Sequence, residues 1–147
     1  MRHVRLSVAC ALLSCALASH GALACTAAFT GAAVIESPGY VLAWRTQPAP
    51  IVVGKHFAVD IVVCPRAGTA AGTKAGMALP QSLRVDAQMP DHRHGMNYKT
   101  SVSVVNGEGA GRYRAEGLMF HMPGRWELLF ELRGVATDRL VAEVMLK

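Results

Sequence analysis

The feature that most constrains this chain is a two-residue alternation of apolar and polar side chains, repeated from segment to segment between clusters of turn-forming residues. An extended strand points successive side chains to opposite faces, so such a run buries one face and wets the other. At 55–64, Phe57, Val59, Ile61 and Val63 share a face, and Pro65 stops the run. At 82–89, Leu83, Val85, Ala87 and Met89 alternate with Ser82, Arg84, Asp86 and Gln88. After Pro123-Gly124, residues 125–133 set Trp126, Leu128, Phe130 and Leu132 against a largely charged face, and 140–146 close with Leu140, Ala142, Val144 and Leu146. Further candidates lie at 40–46, at 99–105 before the turn pair Asn106-Gly107, and at 111–122, where Tyr113, Ala115 and Gly117 alternate. Residues 66–80, rich in Gly, Ala and Thr, have no period and read as a long loop. About seven strands without an amphipathic helix imply an all-β domain. An immunoglobulin-like antiparallel β-sandwich is the expected architecture, with a small closed barrel as the alternative that periodicity leaves open.

The amino end departs from this pattern. Arg2 and Arg5 precede an apolar stretch at 6–18, then His20-Gly21 and the small-residue pattern Ala22-Leu23-Ala24, which together read as a secretory signal peptide over 1–24. A transmembrane anchor needs about 20 apolar residues, more than this stretch supplies. The expected mature domain is 25–147, exported to the periplasm. Cleavage would expose Cys25, so a lipoprotein is a competing reading. Against it, Ala22 stands where such signals usually place a large aliphatic residue.

Part of the 52% hydrophobic content and the low 17% charge then belongs to the leader. With Arg2 and Arg5 gone, 15 basic residues become 13 against 10 acidic, and the formal charge falls from +5 to +3. The basic residues are dispersed, which excludes a nucleic-acid footprint. Cys10 and Cys15 leave with the leader. Cys25 and Cys64 form an even pair, expected to make a disulfide in an oxidising compartment, with a redox-active or metal-binding thiol pair as the rival reading.

Three of the four remaining histidines stand in two short Met- and Pro-containing segments: Met89-Pro90-Asp91-His92-Arg93-His94-Gly95-Met96 and Phe120-His121-Met122-Pro123-Gly124. In an extended backbone His92, His94 and Met96 would point the same way. Imidazole suits several transition metals, and thioether sulfur narrows the choice toward copper, especially Cu(I). Zinc, held by His92, His94, His121 and Asp91, is the second candidate, although zinc sites rarely recruit methionine. The structural alternative stands beside both. Met89 and Met119 suit core packing, His121 suits a turn-bonded structural histidine, and His56 reads as an isolated surface or packed residue.

At these two segments the chain resembles a known family. The M-P-x-H-x-H-G-M block at 89–96 and G-R-Y-R-A-E-G-L-M-F-H-M-P-G-R-W-E-L at 111–128 look like the YtkA-like domains of exported bacterial proteins, similar in plan to the FixH-like group. The resemblance covers 83–147. It implies a small immunoglobulin-like sandwich, found alone or beside metal-handling and respiratory components, with copper binding in some members. Carried over, it points to His92, His94, Met96, His121 and Met122. The Cys25 and Cys64 pair lies outside it.

Ser82, Ser101 and Ser103 lie in strand-like runs without a nucleophile elbow, and the Gly-rich pieces match no phosphate loop, so an enzyme is not expected. Two functions remain: an exported copper-binding protein serving storage, delivery to a respiratory or oxidase centre, or protection; and a metal-free module docking on an exported or membrane-bound partner.

Overall fold

In the computed structural model, residues 25, 30–66, 79–105, 111–134 and 137–147 are described. Among these described residues, nine strands form two antiparallel sheets: β1 (Ala33–Glu36), β2 (Tyr40–Gln47), β3 (His56–Pro65), β4 (Ser82–Met89), β5 (His94–Gly95), β6 (Ser101–Val104), β7 (Gly111–Met119), β8 (Gly124–Arg133) and β9 (Thr137–Leu146). One sheet has the order β1-β2-β3-β7-β6, the other β5-β4-β8-β9. The two separate sheets make the fold a sandwich and not a closed barrel. The two strands beyond the expected seven, β1 and β5, span four and two residues, too short for alternation to reveal. Most of the 66–80 loop and the Asn106-Gly107 turn lie outside the described residues.

The alternating sets meet where the pattern requires. Phe57, Val59, Ile61 and Val63 of β3 face Leu83, Val85, Ala87 and Met89 of β4 and Trp126, Leu128, Phe130 and Leu132 of β8 in one core, all at most 7% exposed. Each large side chain removed from water in this way contributes about 1.5–3 kcal/mol of transfer free energy. β3 is buried on both faces. On its outer side Val62 and Cys64 pack with Val41 and Cys25, and Cys25 is disulfide-bonded to Cys64 with Cα atoms 5.8 Å apart. The pair expected from composition is therefore a staple holding residue 25 against the outer face of the five-stranded sheet.

In one strand the expected alternation breaks. Tyr113 and Ala115 face inward, but Gly117 does not follow them; the buried positions become Leu118 and Phe120. The cause is a β-bulge: between Val59↔Ala115 and Phe57↔Leu118, two residues of β7 oppose one of β3. Gly117 takes φ +87°, and a Cβ there would stand 2.8 Å from the carbonyl oxygen of Lys99, so both backbone angle and space demand glycine. The bulge reverses the facing of everything after it. Phe120 enters the core and His121 is left exposed beside it.

Candidate metal centre

β4 ends at the buried Met89, and Pro90 starts a single 3-10 turn over Pro90–His92. Proline suits the first position of such a turn because its φ is preset and no N–H is needed there. Arg93 adopts the left-handed conformation (φ 56°) and donates its N–H to the Pro90 carbonyl at 3.2 Å, reversing the chain. His94–Gly95 then returns along β4, with His94 opposite Met89 and Gly95 opposite Gln88. The Met96 N–H bonds to the Ala87 carbonyl at 3.1 Å. Only His94 and Met96 therefore lie on an extended run. The expectation that His92 joins them by strand alternation is corrected: His92 belongs to the turn that Pro90 begins. The turn still brings the His92 and His94 ring centroids to 5.9 Å.

The second segment is aimed by the bulge and closed by an indole. Trp126, fully buried, stacks on Phe120 with ring centroids 4.4 Å apart and donates its Nε1–H to the Met122 carbonyl at 3.0 Å. Gly124 (φ +124°) seats the turn over β4, because a Cβ there would fall 2.4 Å from Met89 Cε. Met89 is accordingly a core residue and not a ligand. His121 lies 5.1 Å from His94 between ring centroids, and the two imidazoles meet Trp126 edge to face at 5.3 and 5.8 Å.

His94 and His121, 27 positions apart in the chain, thus converge. A metal sits about 2 Å from an imidazole nitrogen and hence about 3 Å from the ring centroid, so two rings sharing one ion have centroids within about 6 Å. The separations of 5.1 and 5.9 Å fall inside that limit. His94 Nδ1 lies 3.1 Å from the Gly95 carbonyl, a contact in which the carbonyl oxygen accepts and Nδ1 donates. A family model described as YtkA-like matches residues 50–130, a span that holds β3 to β7, most of β8 and every histidine of the cluster.

The chain belongs to the YtkA-like family. Membership points to a small exported domain. The matched span begins upstream of residue 83, where the motif resemblance starts, and so takes in Cys64 but not Cys25. No curated protein and no solved structure gives a significant match to this YtkA-like chain.

Among the described residues of the YtkA-like domain, no group of three His, Cys, Asp or Glu side chains is set to hold a metal ion. Asp91, the carboxylate that a zinc set would need, is engaged elsewhere. Arg125 grips it through Nη2 at 2.6 Å and Nε at 3.3 Å while also reaching Glu127 and Glu143. The hydrogen bond from Arg125, with the charges of Arg125 and His92 adding to it, holds the Asp91 carboxyl below the usual carboxylate range. Met96 and Met122 are half-buried against the core. His92 and His121 are exposed and His94 is partly so. His56 stands apart, its ring against Tyr98 at 5.2 Å. Motif reading did not assign Trp126 and Phe120 as the floor of the cluster, although both lie inside the quoted block and Trp126 opens an alternating run. The Arg125 hold on Asp91 had no local signal, since its partners are 34 residues apart.

Proposed function

We propose that this YtkA-like domain is an exported, periplasmic copper-binding protein, not an enzyme. His92, His94 and His121 with the thioethers of Met96 and Met122 hold one ion for storage, protection or delivery to a respiratory or oxidase centre. The observation that carries the reading is the approach of His94 and His121 from separate loops to 5.1 Å, with Nδ1 of His94 held by the Gly95 carbonyl. The donor chemistry supports copper over zinc. A structural zinc site asks for four closed nitrogen, sulfur or carboxylate ligands, whereas imidazole with thioether suits Cu(I).

The purified protein, titrated with Cu(I) against a competing chelator and with Cu(II) and Zn(II), is expected to bind one Cu(I) more tightly than the other ions. His92→Ala combined with His94→Ala should abolish stoichiometric binding. Wild-type protein that never competes with the chelator sinks the proposal. One observation favours the alternative of a metal-free interaction module: His94 and His121 already have ring partners in Trp126, as packed structural histidines would. The same titration separates the two, since a docking loop binds no metal.

A further inference from the structure

A sandwich exposes the outer strands of its sheets, and an unpaired strand edge is a template for another strand unless something blunts it. Three of the four edges here are blunted by length alone: β1 and β6 have four residues each and β5 has two. The fourth is β9. It runs ten residues without proline, glycine or bulge, in unbroken register with β8 from Arg133↔Thr137 to Gly124↔Leu146, and no described strand pairs with its other side. Its solvent face carries Val141 at 46% and Met145 at 61% exposure, flanked by Arg139 and Glu143.

We propose that two copies of the protein associate through β9, pairing antiparallel about a two-fold axis at Val141 and joining the two four-stranded sheets into one of eight strands. The order of the side chains selects both partner and register. With the axis at Val141, Arg139 of each copy lies opposite Glu143 of the other, Val141 meets its own counterpart, and Thr137 faces Met145. Shifting the axis to Leu140 or Ala142 sets Arg139 against Val141 or Met145 and leaves both charges unmatched. A strand that is its own charge complement is fitted to a second copy of itself. Within one chain Arg139 stands opposite Glu131 of β8, with no ion pair within 4.0 Å among the described residues, and Glu143 has a 3.6 Å approach from Arg125. Asp138, which would otherwise bring an acid to the seam, is turned away to accept the Ser37 hydroxyl at 2.7 Å.

The test is sedimentation velocity on the purified protein over a range of concentrations, without added metal so that it is independent of the copper reading. The wild type is expected to dimerise. Arg139→Glu and Glu143→Arg, which place like charges across the axis, should each weaken the dimer about tenfold or more. The double exchange should restore it, and Val141→Lys should give a monomer. All three side chains replaced are exposed, so the melting temperature of the dilute protein checks that each variant is folded. A wild type that is monomeric at every concentration overturns the proposal, as does a dimer indifferent to the single changes or one that the double exchange fails to rescue.

Discussion

Tyr40 and Tyr113 carry the molecule's sensitivity to alkali. Tyr40 is 5% exposed and Tyr113 8%, and burial first, then the charge of Asp138 on Tyr40 and of Tyr40 on Tyr113, pushes both phenols above the ordinary value of 10.0. A group whose pKa is raised by folding stabilises the native state fully below its unfolded pKa and ceases to do so as pH climbs through the folded one. Stability should therefore hold through neutrality and start to decline above about pH 10. Tyr40→Phe should make that decline shallower, as followed by urea midpoints between pH 8 and 11. A midpoint that falls just as steeply in the variant refutes the assignment.

At the scale of elements, the bulge in β7 connects fold to site. Replacing Gly117 with alanine forces a side chain onto φ +87° and to within 2.8 Å of the Lys99 carbonyl. The expected cost is about 2–3 kcal/mol by denaturant unfolding. If the bulge is expelled to relieve the strain, the facing of Phe120 and His121 reverses, and NMR contacts between the His94 and His121 rings should disappear. Unchanged stability would show that the bulge is not held by this glycine. The same element marks the limit of what sequence discloses. β4 begins and ends at the residues its alternation names, 82 and 89, and the set from Trp126 to Leu132 faces inward as written, because burial of one face leaves a period-2 trace. In β7 the trace breaks phase at Gly117, and a one-residue insertion leaves no periodic signal of its own. Motif chemistry marks His94 and His121 as candidate ligands, but their approach to 5.1 Å is made by the fold and leaves no trace in the sequence. That His92 sits in a turn follows from Pro90 and from the left-handed backbone at Arg93, choices that a strand pattern does not encode.

For the whole molecule, the disulfide closes a loop of 39 residues and ties residue 25 to the outer face of the five-stranded sheet. Loop closure of that length restricts the unfolded chain by about 3–4 kcal/mol. Cys25→Ser with Cys64→Ser should lose stability of that order in chemical denaturation, while the His94 and His121 environment, remote in sequence from both cysteines, keeps its spectrum. A loss of structure around the imidazoles would place the staple inside the same cooperative unit as the site.

The Cys25 sulfur also answers to valence. Bonded to Cys64, it has no position left for the thioether that attaches a lipid to an amino-terminal cysteine, so the two modifications exclude each other on any one molecule. A lipid-bearing copy would leave Cys64 as a lone thiol on β3 and forgo the staple. Intact mass and thiol counting on the native protein would divide the population between these two covalent states, and with it the population free to diffuse from the population held at a membrane surface.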